Sequence, residues 1–398
     1  MTIIILLMVV GWLTYRATSA AERNRFLERA LRKRRQLADR INRRYAQIAP
    51  FWNLLRERTR WAPVTPALVA LNVGAFVLML FGPDAISAPN TLIAWGGSFG
   101  PRTTNGEWWR LVTAMFVHVS ALHLFADLIG LLAVGLVVER LVGSLAFAAV
   151  YVAAGLSSIA FGLIASPTGA SVGASGAIFG IYGLGLVVVI GSVFNSSMPK
   201  IPFAFARAVA PAMAVFIVYS LVTSAIASGP ELSALFIGCV SGVFVARGIG
   251  EGPAPASRVA PVAIGAMVMV VVTVLPMSGM IDVRPEIHKL VTAEEDMAAR
   301  YQKATDQFTS GRINVHELAG IIDHDIIPQL QASRTHLASL EHVPDEQKPL
   351  LAAAEKYLQL RDESWRVRSK ALNVGSVSML READMSEVVS RSALKRLE

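Results

Sequence analysis

The chain has 398 residues, of which 54% are hydrophobic, with a mean hydropathy of +0.50 and a formal net charge of +8. A composition this apolar excludes an ordinary soluble domain and indicates a polytopic membrane protein. The single cysteine, Cys239, excludes an internal disulfide framework and any multi-cysteine metal site.

Residues 2–15 form an apolar run that covers about 21 Å of a hydrocarbon core about 30 Å thick. Basic residues follow this run and none precede it. A membrane anchor, N-terminus out or interfacial, is therefore expected rather than a cleaved signal peptide. Residues 16–60 carry fourteen Arg or Lys against four acids. Phe26, Leu27, Leu31, Leu37, Ile41, Tyr45 and Ile48 recur there at helical spacing, so residues 21–61 read as a basic amphipathic helix beside anionic lipid on the cytoplasmic side. The stretch lacks the glycines and interleaved aromatics of a nucleic-acid-binding arm, and no nucleic-acid partner is expected.

Seven apolar stretches follow, at 65–82, 111–137, 144–165, 173–195, 208–228, 231–246 and 259–281. With the basic block inside, Arg140, Lys200, Arg207, Arg247 and Arg258 share its side, whereas Arg102 and Arg110 lie opposite. An odd number of spans then puts the tail outside the cytoplasm, in a multi-pass protein of the cell membrane. Residues 282–398 hold nineteen acids and sixteen bases, with breakers at Gly311, Pro344 and Gly375, and read as a soluble helical domain able to mediate oligomerisation. His316 and His324 lie among acids, but their eight-residue separation fits surface positions better than a metal site. No metal or other cofactor is expected.

The chemistry-bearing stretch is Gly173-Ala174-Ser175-Gly176-Ala177-Ile178-Phe179-Gly180, where small residues leave a serine hydroxyl accessible at a helix start. Taken alone, the small residues are explained by close packing of membrane helices. Upstream lie Trp108-Trp109-Arg110, then His118 and His123 in a HVSALH run, then Glu139-Arg140-Leu141-Val142-Gly143. In this order and spacing, residues 63–250 resemble the rhomboid intramembrane serine proteases. The resemblance implies an all-α polytopic fold with a six-helix core, one extra C-terminal transmembrane helix and a soluble helical tail. The implied division is a basic N-terminal region at 1–62, the core at 63–250, a linker and extra span at 251–281, and the tail domain at 282–398.

The resemblance also implies roles. Ser175 takes the nucleophile position, Gly173, Ala174, Gly176 and Gly180 form its motif, and Trp109, Arg110, His118 and Glu139 are structural. In the family a histidine on the sixth helix, in an Ala-His-x-x-Gly-x-x-x-Gly pattern, is the general base. Here Ala234, Gly238 and Gly242 match, while the histidine position is Leu235. A leucine cannot accept a proton. On the second helix the family's oxyanion-stabilising histidine and asparagine correspond to His123 and Asp127. An ionised Asp accepts hydrogen bonds and donates none, so it opposes a developing oxyanion.

Two readings stay open at this point. In one, the chain is an impaired or inactive relative, a pseudoprotease that binds the transmembrane segments of client proteins within the bilayer. There His123 and Asp127 are a buried pair tying the second and fourth spans together. In the other, the chain is an active serine endopeptidase in which Asp127 orients His123 as a substitute base for Ser175.

Overall fold

The computed structural model describes residues 19–196, 198–223 and 229–394. The apolar run at 2–15 lies outside the described residues. Helix α1 (Ala20–Arg58) carries the basic sequence. Its last turns bury Phe51 and Leu55 in the membrane core, and the Phe51 and Trp52 rings lie 5.5 and 6.3 Å from Phe205. This basic helix is thus tied to the bundle by its C-terminal end, while Arg25, Arg29 and Arg32 through Arg35 are exposed.

The apolar helices are α2 (Val64–Met79), α3 (Ala121–Val142), α4 (Ser144–Ala165), α5 (Ser175–Phe194), α6 (Phe203–Thr223), α7 (Gly229–Val245) and α8 (Ala256–Val274). Among the described residues five helices, α3 to α6 and the run Ala256–Met277, are long and apolar enough to cross a membrane, whereas α2 and α7 are shorter apolar helices. The chain is an all-α multi-pass membrane protein.

The second span is a correction. The expected run began at residue 111, but α3 begins at Ala121. The chain turns at 110–116, Val117 is extended, and the Ser120 side chain caps α3 by accepting the His123 N–H at 3.1 Å. Hydropathy did not expose this break, because the intervening residues are almost as apolar as the helix. Its consequence is that His118 sits ahead of the helix and His123 in its first turn.

Glu139 fixes the other end of α3. Its carboxylate is fully buried and accepts from Val64 N (2.9 Å), Thr65 N (2.8 Å), Thr65 Oγ1 (2.7 Å) and Ser144 Oγ (2.7 Å). Two of these donors are N–H groups at the start of α2, which the helix cannot satisfy itself. One side chain therefore joins α2, α3 and α4.

After α8 the chain forms a second apolar core from α9 (Arg284–Thr309), α10 (Val315–Ile321), α11 (Ile327–Ala338), α12 (Lys348–Val374) and α13 (Val377–Leu394). Inside it Arg361 is buried, donates to Glu294 at 2.6 Å and stacks 4.6 Å over the Trp365 ring. His316 is at the surface, where Nδ1 lies 3.2 Å from Asn373 Oδ1.

Removing the Glu139 carboxylate strands four donors, two of them backbone. Glu139→Ala is expected to lower stability by about 3 kcal/mol or more, read as thermal unfolding in detergent, with Glu139→Gln intermediate. An unfolding midpoint for Glu139→Ala equal to that of the native protein would contradict this role.

Candidate functional site

Residues 166–174 link α4 to α5 and deliver Ser175 as the first residue of α5. Gly173 is in the left-handed region, with φ +115°, and its N–H donates to Ala114 O at 2.9 Å. A methyl group on Gly173 would lie 2.8 Å from His123 Cε1, so only glycine lets the imidazole rest against the backbone leading to the serine. Below Ser175, helix α5 approaches its neighbours at backbone distance. A methyl group at Gly180 would lie 2.0 Å from Ala154 Cβ, and one at Gly238 would lie 2.0 Å from Gly180 O. Gly176 faces Ser158 and Gly242 faces Val187 in the same way, at 2.2 and 3.0 Å. These glycines set how far α5 inserts between α4 and α7.

Ser175 and His123 both line a cavity of about 540 Å³, together with Ser158, Ser171, Tyr219 and Glu231. The Tyr219 ring lies 6.0 Å from the His123 ring. Among the described residues Ser175 Oγ makes no hydrogen bond, to His123 or to any other group. Among the described residues His123 Nδ1 is buried without a partner.

Asp127 is buried behind His123 and outside the cavity lining. Its Oδ2 accepts the Ala174 N–H at 3.0 Å, lies 3.2 Å from His118 Nε2 and is 3.7 Å from His123 Nε2. The first two distances are hydrogen bonds, and the third is too long for one. His118 Nδ1 faces Phe116 O at 3.1 Å, and a carbonyl can only accept. Both nitrogens of His118 thus face oxygens, and the ring bridges Phe116 O to the Asp127 carboxyl group. That pairing lowers the cost of a carboxyl group at this depth. Asp127 therefore joins α3 to the start of α5, and the histidine it engages is His118, nine residues away, rather than His123 at i−4.

The remaining sequence candidates have separate places. Leu235 packs against the apolar core and does not line the cavity. Arg110 is buried, donates to the carbonyls of Ile93 and Gly97, pairs with Glu107, and lies 4.6 Å over the Trp109 ring, which anchors the 93–110 segment. Tyr219 and Glu231 were not among the sequence candidates. Glu231, an acid at the first position of an apolar stretch, carried a readable signal, since ionisable residues at membrane helices mark function. Tyr219, inside an apolar run, carried none.

Residues 105–251 match the Rhomboid family, described as the Rhomboid domain. Over 186 residues the chain is 32% identical to the Rhomboid protease GluP of Bacillus subtilis (strain 168), covering 47% of this chain and 34% of that protein. It is also 32% identical to the Putative rhomboid protease YdcA of the same organism, over 33% of this chain and 65% of that one. With the Rhomboid protease AarA of Providencia stuartii it shares 28% identity, over 34% of this chain and 54% of the relative. The chain thus spans between about a third and two thirds of the length of these three relatives. No solved structure matches.

The acceptor role of Asp127 has a direct test. Asp127→Asn retains an oxygen for Ala174 N–H, so its thermal unfolding midpoint should stay near that of the native protein. Asp127→Leu strands that N–H and the His118 ring and should lose about 2–4 kcal/mol. Equal midpoints for the two variants would show that the carboxylate is not the acceptor that joins α3 to α5.

Proposed function

The chain belongs to the rhomboid family, and from that premise we propose that it is a catalytically impaired member, which holds transmembrane segments of client proteins at the Ser175 cavity without cutting them. The observation that carries this reading is the Asp127 carboxylate on the Ala174 N–H, at 3.0 Å. A tetrahedral intermediate at Ser175 needs donors aimed at its oxyanion, and Asp127, at the position the resemblance assigns to a donor asparagine, is here an acceptor turned to the Ala174 N–H. Loss of one oxyanion donor costs about 10²–10³ in rate.

The second support is the missing base. A serine hydroxyl needs a proton acceptor within hydrogen-bond reach, and positioned acid–base groups contribute about 10²–10⁴. Leu235, at the position the resemblance assigns to the base, has no acceptor and does not line the cavity. His123 shares the cavity with Ser175 but makes no hydrogen bond to it, and the carboxylate that would orient it lies nearer His118. The two deficits multiply, so peptide hydrolysis should fall by about 10⁴–10⁷ relative to an intact site.

What remains is a hydroxyl-rich cavity in a membrane bundle. Such walls offer hydrogen bonds to the backbone of a transmembrane segment whose helix has locally unwound, a stretch that lipid cannot satisfy. The clients are therefore membrane proteins, met within the bilayer. By the basic-loop rule, the N-terminal region faces the cytoplasm of a cell membrane and the C-terminal domain faces outward. The division into 1–62, 63–250, 251–281 and 282–398 belongs to the same reading, supported by separate apolar cores before and after the α8–α9 connection.

Fluorophosphonate labelling of the detergent-purified protein tests this function against an active endopeptidase using Ser175 and His123. The native protein and Ser175→Ala should both stay unlabelled, while Leu235→His combined with Asp127→Asn, which adds a proton acceptor and an amide that can donate as well as accept, should label at Ser175. Labelling of the native protein that disappears in Ser175→Ala would establish an activated serine and overturn the proposal.

A further inference from the structure

All three hydrogen-bonding groups of Thr168 are taken by the C-terminal domain. Its N–H donates to Glu346 Oε1 at 2.7 Å, its hydroxyl donates to the same oxygen, and its carbonyl accepts from Arg284 Nη2 at 3.0 Å. Thr168 lies in a turn on the 166–174 segment, between Ser166 and Gly169 of the cavity wall.

The two gripping residues are braced against each other. Arg284 Nε and Nη2 lie 2.9 and 3.2 Å from the Asp282 carboxylate, Asp282 Oδ1 accepts from Gln347 Nε2 at 2.7 Å, and Gln347 Oε1 accepts the Val283 N–H at 2.8 Å. Because Gln347 follows Glu346 in the chain, the contacts close into a ring. Asp282 is partly buried, which by itself would raise its pKa, but hydrogen bonds from Arg284 and Gln347 outweigh that and hold its carboxyl below the usual range.

The same connection grips the facing loop. Asn105 Nδ2 donates to Met280 O at 2.8 Å, and the Gly279 N–H donates to Asn105 Oδ1 at 2.7 Å. The two loops are themselves sewn together: Ser98 and Ser171 exchange N–H···O bonds at 3.0 and 2.9 Å, and Gly100 N–H donates to Pro167 O at 2.9 Å. From Thr168 the bonded path runs through Ser171 to Gly173, tied to Ala114 O, and then to Ala174, tied to Asp127. Six residues separate Thr168 from Ser175, and most of that path is pinned.

We infer that the C-terminal domain is a clasp on the site, with Glu346 and Arg284 as positioning residues that hold Thr168 and so set the 166–173 wall of the cavity. Both residues lie outside the 105–251 family match, so the clasp is an addition made by this chain to the shared core. It acts on access to Ser175 whether the site holds segments or cuts them. Release of Thr168 frees one wall of the cavity while leaving the helices that carry Ser175 and His123 in place.

Hydrogen exchange on the full chain in nanodiscs, read over peptides covering 166–175, tests the clasp. Glu346→Ala and Arg284→Ala should each speed amide exchange at Thr168, Ser171 and Gly173 by about tenfold, with the α12 core around Trp365 unchanged. Glu346→Gln, whose amide oxygen still accepts, should remain near the native rate, a rescue that loss of bulk alone would not produce. Arg284 is half exposed, so its variant keeps the test open should Glu346→Ala unfold the C-terminal domain. Native exchange rates over 166–173 in folded Arg284→Ala would overturn the inference.

Discussion

An acid placed inside a helical membrane bundle must find partners there, because lipid provides none and water is far away. Asp127 finds them in the Ala174 N–H and in His118, and the rest of the site follows from that choice. The bond to Ala174 fixes the entry to α5 and therefore the position of Ser175. The bond to His118 gives the carboxyl group a partner nearer than His123. One oxygen thus fixes the turn that delivers Ser175 to the cavity.

Around this centre the bundle relies on two different devices. Where backbones must approach, as between α5 and α7, glycines remove the side chains, and dispersion contacts between close helices replace a hydrophobic driving force that lipid does not supply. Where helix ends would strand N–H groups, a buried acid accepts them, Glu139 for α2 and Asp127 for the turn into α5. Arg110 is the mirror case, a buried cation collecting the carbonyls of a loop. Retention of Ser175 in its glycine setting is therefore compatible with a packing role, because the small residues would be needed even without catalysis.

Much of this was legible in the sequence and some was not, for reasons of distance along the chain. The glycines around Ser175 and the pattern Ala234, Gly238, Gly242 are local, so their spacing carries the helix contacts directly. The start of α3 was not legible: residues 111–120 are almost as apolar as the helix, and the signal, Ser120 as a cap, is a single residue. That misplacement concealed the partner of Asp127. Helical spacing points from Asp127 to His123, whereas His118, on the extended segment before the cap, folds back to the carboxylate. Contacts between Thr168 and Glu346 join residues 178 apart, across two separate cores, and no periodicity in either segment encodes them.

The central claim is that this site holds transmembrane segments and leaves them intact. The most direct measurement is mass spectrometry of single-span peptides after prolonged incubation with the native protein in bilayers, beside Ser175→Ala. Every peptide should keep its full mass in both samples. A cleavage product formed by the native protein and absent with Ser175→Ala would contradict it.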